Sequence, residues 1–330
     1  MERLLLIDGI NFFFKGMYAH GMDLTHDGHS VKCLYAFQQN LCRIIRKFKD
    51  DCNELETIVC WDGGHDERTR ISEAAVTAGI IPMAYKQERA IARAMNPDKN
   101  ASEDFSWQLQ MAKELVSYTK VKQTSVEGEE ADDVIATICR KSLGQYDDIV
   151  IVTTDRDYYQ LLWDGVRLYN STRDEFLDKS FLKSEYNLDN ADQWVDVGAI
   201  AGETGASSDT IYGVPGIGYV IAAKLVSQYG SLENIYKKAK DEYCDYISRN
   251  GMDVFMRNVR SGEFRPKLLK EAKVLAYRDV VDVAMRLKRM RSDLKVEINE
   301  PHPDWERLER FYESVGFRAN PDNFYTLLKG

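Results

Sequence analysis

Ile149-Val-Ile-Val-Thr-Thr-Asp-Arg-Asp157 is the stretch on which the fold turns. Its β-branched opening, Ile149–Thr153, has the length and bulk of a strand buried on both faces, as in a parallel sheet. It runs directly into Thr154-Asp155-Arg156-Asp157. Two other short aliphatic runs end alike, Leu4–Ile7 in Asp8 and Thr57–Cys60 in Trp61-Asp62-Gly63-Gly64. Amphipathic stretches separate them. Leu34, Phe37, Leu41, Ile44, Ile45 and Phe48 are spaced as one helix face, as are Leu109, Ala112, Leu115 and Val116, and then Ala131, Val134, Ile135 and Ile138. Such alternation predicts an α/β domain, a central mostly parallel sheet flanked by helices, over residues 1–190. Beyond about Phe181 strand signals fade, so residues 191–330 are expected to be helical.

In an open parallel sheet, ligands bind beyond the carboxyl ends of the strands. Three strands that each deliver an aspartate to that edge concentrate negative charge, at a cost of several kcal/mol per close pair. Cations among them would relieve it. Glu127-Gly-Glu-Glu-Ala-Asp-Asp-Val134 adds Glu129, Glu130, Asp132 and Asp133 at a helix start, with Glu130 and Asp133 one turn apart. Acids in a first turn also complement the helix dipole, but the three strand-terminal aspartates favour a shared cation site. All-oxygen donors point to hard ions, Mg²⁺ or Mn²⁺, rather than zinc. The five histidines, His20, His26, His29, His65 and His302, form no zinc pattern. Two such ions would suit hydrolytic phosphoryl chemistry.

Composition narrows the class. With 44% hydrophobic and 29% charged residues the chain reads as globular. No apolar run reaches the ~20 residues of a membrane helix, and the N-terminal run lacks the features of a leader peptide. Six cysteines without a CxxC pair predict free thiols and a cytoplasmic setting. A net charge of −9 argues against wrapping nucleic acid over the whole surface, while leaving room for local phosphate contacts.

Gly213-Val-Pro-Gly216-Ile-Gly218 precedes a helical stretch that includes Lys224. No strand precedes it and Ile221 stands where a dinucleotide fingerprint needs its third glycine. A P-loop lysine motif is also missing. A helix–turn–helix element that grips a phosphate backbone without reading bases fits better.

In order along the chain, LLIDGINFFFKGMYA, THDGHSVKCLYAF, CWDGG, AYKQER, EGEEADDVIAT, IVTTDRDYYQLL, SSDTIYGVPGIGYVIAAKL, RLKRMRSDLKVEI and FYESVGFR resemble the motifs of the 5′ nuclease, or flap endonuclease, family. That family includes the 5′→3′ exonuclease domain of bacterial DNA polymerase I and stand-alone phage enzymes. The resemblance implies a PIN-like core in which Asp8, Asp62, Glu130, Asp132 and Asp133 serve mainly a first metal. Asp155, Asp157 and Asp209 would serve a second. It implies that Lys86 contacts the scissile phosphate, supported by Arg89 or Arg93, and that residues 84–106, with Met95-Asn-Pro97, form an arch. Gly213, Gly216 and Gly218, with Lys224, would shape a helix–three-turn–helix at 198–230 that holds duplex DNA, often with K⁺. It further implies DNA with 5′ flaps, nicks or gaps and RNA–DNA primer ends as substrates. A single-strand-binding protein or polymerase would be the partner of a monomeric, free-standing nuclease.

Some positions depart from the family pattern. Gly202-Glu203 is followed by an extra Thr-Gly-Ala, which makes Glu203 a displaced candidate ligand of the second metal. Thr210 stands for the usual Asn, Tyr212 for Pro and Trp61 for Phe. Alternative readings are a PIN-type ribonuclease and a non-catalytic DNA-junction-binding protein. A haloacid-type phosphatase fails, because Ile10 occupies the place of its second aspartate.

Overall fold

Apolar side chains alternate along the first strand and divide the protein into two layers. In β1 (Glu2–Asp8), Leu4 and Leu6 enter one hydrophobic cluster and Leu5 and Ile7 the other. Each of these four side chains is almost fully buried, and each such burial contributes roughly 1.5–3 kcal/mol. The computed structural model describes residues 1–15, 24–95 and 99–329, with the side chains of 99–103 outside the description. Asn96 and Pro97 of the expected arch therefore lie outside the described residues.

After β1 come α1 (Gly9–Phe14), a ribbon of β2 (Thr25–His26) and β3 (His29–Ser30), α2 (Lys32–Lys49) and β4 (Glu54–Cys60). The chain continues through α3 (Asp66–Thr77), α4 (Gln87–Met95), α5 (Lys99–Ser117), β5 (Lys122–Thr124), α6 (Ala131–Ser142) and β6 (Asp148–Val152). A 3₁₀ turn (Arg156–Leu161), β7 (Val166–Asn170), β8 (Glu175–Leu177) and α7 (Lys179–Tyr186) complete the first part. The helical part holds α8 (Gln193–Ala201), α9 (Tyr219–Tyr229), α10 (Leu232–Glu242), α11 (Cys244–Asn250) and α12 (Met252–Ser261). It ends with α13 (Leu269–Ala276), α14 (Arg278–Lys288), α15 (Trp305–Ser314) and α16 (Pro321–Lys329).

The main sheet runs β5-β4-β1-β6-β7-β8, parallel except for the edge strand β8. The three strands legible in the sequence are its centre. β5, β7 and β8 were missed because they are short or carry polar and charged residues, as in Lys122-Gln-Thr124. Register places Asp8 beside Cys60, and Ile7 beside Val152. The loops that carry Asp62 and Asp155 therefore leave the sheet on either side of Asp8, at the point where strand order reverses.

The expected helix faces are buried in α2, α5 and α6, with only Leu109 part-exposed. No side chain caps α2 from within its own segment. Gln108 of α5 does so instead, its Oε1 accepting from the amides of Cys33 (2.8 Å) and Leu34 (3.2 Å). Among the described residues no helix is long and apolar enough to cross a membrane. All six cysteines are unpaired.

The last two helices return to the first layer. Leu308, Phe311, Tyr312, Phe324 and Leu327 join the cluster built on Leu5, Phe37 and Phe48. Phe324 is 1% exposed and packs edge-on against Tyr312 at 4.7 Å. Phe324→Ala is therefore expected to lower the unfolding free energy by about 3–5 kcal/mol in urea titrations. A loss below ~1 kcal/mol would show that the chain end is not part of this core.

Candidate active site

Each strand end fixes its aspartate through a backbone amide. Asp8 caps α1, its Oδ1 accepting from the Asn11 amide at 2.9 Å, while the Tyr158 hydroxyl donates to Oδ2 at 3.1 Å. Asp62 Oδ1 accepts from the amide of Ala131, the first residue of α6, at 2.9 Å. Asp155 caps the 3₁₀ turn through the Asp157 amide at 2.8 Å. These tethers leave the second oxygens of Asp62 and Asp155 without a donor among the described residues. A cleft of about 210 Å³ opens there.

Seven carboxylates and four cations line the cleft. The cations are already engaged. Arg68 ion-pairs with Glu130 (2.8 Å), with Asp132 (3.5 Å) and with Asp133. Lys86 pairs with Glu130, whose other partners include the Tyr85 hydroxyl at 3.0 Å. Arg89 pairs with Asp209 at 2.7 Å. Lys288 pairs with Asp157 at 2.8 Å and with Glu203 at 2.7 Å. Only Asp8, Asp62 and Asp155, the three strand-terminal aspartates, have no protein cation at ion-pair distance among the cleft-lining acids described.

The electrostatics follow. Burial, then the charge of Asp62, pushes the Asp8 carboxyl up to about 7. Burial also holds Asp132 well above the usual carboxylate range, against the pull of Arg68. Burial alone would raise Glu130, but Arg68 and Lys86 outweigh it and leave its carboxyl below the ordinary value. Buried carboxylates that resist ionisation are suited to a hard divalent cation, and the donors are oxygens throughout. Glu130, Asp132 and Asp133 each offer an oxygen within 4.8 Å of the others. Arg68, however, claims the Asp133 side of that group.

The structure distinguishes among the residues singled out in the sequence. Asp8, Asp62, Glu130, Asp132, Asp155, Asp157, Asp209, Lys86 and Arg89 converge on the cleft. Asp133 does not face it. It is 0% exposed and holds Arg68 and, through Oδ1, the Arg291 amide at 2.7 Å. Glu203 stands at the edge, tied to Lys288. Arg93 is exposed on α4 and does not line the cleft. Lys224 is exposed on α9.

Gly213 packs against the end of α8 and also lines the groove shared with Gly216 and Gly218. A Cβ there would lie 2.4 Å from the Gly202 nitrogen. Gly216 and Gly218 are exposed at the start of α9, beside a groove of about 410 Å³. Sequence reasoning missed Arg68, Lys288, Tyr85 and Tyr158. The signal for the two cations was present, since Arg68 shares the buried face of α3 with Ile71 and Ala75, and Lys288 that of α14 with Val281 and Ala284.

Two outcomes are expected. Arg68→Met should cost roughly 3–5 kcal/mol of stability in chemical denaturation, because it strands Asp133 and Glu130 in a buried setting. The second concerns pH. Asp8 sits near 7 in the fold against 3.8 in the open chain, so within that window the folded state holds a proton that the unfolded state has lost. Stability of EDTA-treated protein should thus fall as pH rises from about 4 to about 7 and level off above that. Added Mn²⁺ should restore the melting temperature most at the higher pH. A flat, metal-insensitive profile would contradict this account of the cleft.

Comparison with known proteins places the chain. Residues 3–187 match the family described as 5′-3′ exonuclease, N-terminal resolvase-like domain, and residues 190–310 match 5′-3′ exonuclease, C-terminal SAM fold. Thermostable DNA polymerase I of Thermus aquaticus is 30% identical over 318 residues, which are 96% of this chain and 32% of the polymerase. The chain thus spans about a third of the length of the Thermus polymerases it matches. A 5′-3′ exonuclease of Halalkalibacterium halodurans is 30% identical over 249 residues, 72% of this chain and 74% of the relative. In fold the chain is similar to zinc-bound bacteriophage T5 5′-exonuclease, with a TM-score of 0.64, 19% identity and coverage of 95% and 98%. A T5 flap endonuclease solved with DNA and metal ions gives a TM-score of 0.62 at 19% identity, with the same coverage. With both domains matched in order, the chain belongs to the 5′-3′ exonuclease family.

Proposed function

We propose that this chain is a structure-specific 5′ nuclease that hydrolyses phosphodiester bonds at 5′ flaps, nicks and gaps in DNA and at RNA–DNA primer ends. Its role is primer removal or repair in the cytoplasm, as a monomer beside a polymerase and a single-strand-binding protein. The observation that carries this reading is the cationless trio Asp8, Asp62 and Asp155 at the carboxyl edge of the sheet. Asp132 completes the set of donors facing them. Mg²⁺ or Mn²⁺ is the ion that this set would hold. When bound, it supplies a polarised phosphoryl oxygen and a more acidic water.

The protein's own groups do the rest. Lys86 holds its ammonium against Glu130 and its side chain is 21% exposed, so a phosphate oxygen that reaches the mouth competes for the same donors. The Arg89 guanidinium stands beside Asp209 and takes a second phosphate contact. Both stabilise charge that grows on the phosphoryl group as water adds and the leaving oxygen departs. Tyr85 and Tyr158 keep Glu130 and Asp8 oriented. Beside the cleft, where the Tyr219 ring lies 4.0 Å from the Arg156 guanidinium, the exposed amides after Gly218 at the start of α9 suit a backbone phosphate, with K⁺ as a bridging ion.

The test is a 5′-flap duplex incubated with Mg²⁺ or Mn²⁺, with EDTA as control. Cleavage that depends on the metal is expected. Asp155→Asn should abolish turnover while flap binding persists, and Lys86→Ala should lower kcat by ~10²–10³. Cleavage of single-stranded RNA in preference to the flap would favour a ribonuclease instead. Tight flap binding without cleavage in either metal would favour a non-catalytic junction protein.

A further inference from the structure

Lys288 is one of two cleft cations, with Arg68, that the sequence did not single out, and its surroundings are those of a fixture. It closes α14 on the helix's apolar face, and its side chain is 3% exposed. The ammonium contacts Asp157 Oδ1 at 3.0 Å, Asp157 Oδ2 at 2.8 Å and Glu203 Oε2 at 2.7 Å. A lysine ammonium has three protons to donate, so these contacts use all of them. The stem runs over Gly198 in the middle of α8, where a Cβ would come within 3.5 Å of the lysine Cγ. Burial works against the charge, yet Asp157 and Glu203 hold the proton far more firmly than in an ordinary lysine.

This position matters because Asp157 and Glu203 belong to the half of the cleft expected to hold a second divalent ion. The residues present do not fit one. A Mg²⁺ ion needs oxygens at 2.0–2.1 Å in near-octahedral array. The oxygens of Asp157 and Glu203 instead surround an ammonium in the cleft wall whose side chain is only 3% exposed. Arg89 likewise engages Asp209. We propose that Lys288 is the resident cation of this half of the cleft, so that the protein binds a single divalent ion, on the side where Asp8, Asp62 and Asp155 have no ion-paired cation among the described residues, and Lys288 stands where a second would go. The inference rests on the nuclease reading for its first ion but not for its second. Lys288 has no donor left for substrate, and is a positioning and electrostatic residue that neutralises Asp157 and Glu203.

The test counts ions rather than turnover. Purified full-length protein is titrated with Mn²⁺, free ion is followed by electron paramagnetic resonance, and Lys288→Met is run in parallel. Wild type is expected to bind one Mn²⁺ with no exchange-coupled pair signal. Lys288→Met, which keeps the stem and removes the charge, should take up a second ion more than ~10-fold more tightly than wild type. Two comparably bound, coupled Mn²⁺ ions in wild type would overturn the inference and leave the nuclease reading intact. No bound Mn²⁺ in wild type would sink both. Should Lys288→Met fail to fold, the wild-type count and the presence or absence of the coupled signal still decide.

Discussion

Repulsion among carboxylates at one edge of a sheet is the constraint around which this protein is arranged. Asp8, Asp62 and Asp155 leave adjacent strands at a point where strand order reverses, so the fold itself forces them together. At an effective dielectric near 20, each close pair costs about 4 kcal/mol at 4 Å. Cations brought from remote parts of the chain neutralise the neighbouring carboxylates Glu130, Asp132, Asp157 and Asp209, and leave Asp8, Asp62 and Asp155 without an ion-paired partner among the described residues. Arg68 comes from α3, Lys86 and Arg89 from the start of α4, and Lys288 from the end of α14. The helical second part is therefore bound electrostatically into the first. It supplies one of the charges that allow the first part's carboxyl edge to exist.

Much of this was legible in the sequence. The central strands announced themselves by β-branched bulk, and their terminal aspartates by position. The amphipathic faces of α2 and α6 were read from spacing alone, because a 3.6-residue period is dictated by burial and little else. The edge strands were not legible, since Lys122-Gln-Thr124 carries no apolar alternation and owes its conformation to pairing with β4. Partnership between distant charges was also hidden. That Asp133 is consumed by Arg68 and Arg291, while its neighbour Asp132 faces the cleft, depends on which way a helix is rotated against its neighbours. The clue to the cations was indirect. A charged residue on an otherwise apolar helix face, as Arg68 and Lys288 are, has to meet a buried acid.

Two residues near the cleft adopt a backbone conformation that side chains disfavour. Lys86 has φ +57° and Thr210 φ +59°, the latter β-branched and fully buried. Such positions cost of order 1–3 kcal/mol each and persist only where their surroundings over-determine them. The two are joined. The Lys86 amide donates to the carbonyl of Asp209 at 2.8 Å, and the Glu88 amide to Thr210 Oγ1 at 3.2 Å. The start of α4 is thus pinned to the loop that carries Asp209. Lys86 and Arg89 are aimed by the same pair of contacts that strains the chain.

The abutment of Gly202 on Gly213 carries a mechanical consequence. Main chain touches main chain there, with no side chain between them to bend or change rotamer. Gly202 is followed at once by Glu203 at the cleft edge, and Gly213 leads within five residues to the exposed turn at Gly218. The turn at the start of α9 and the acidic edge are therefore held at one spacing by stiff backbone. A shift of either would have to move both, because no side chain lies between them to absorb it.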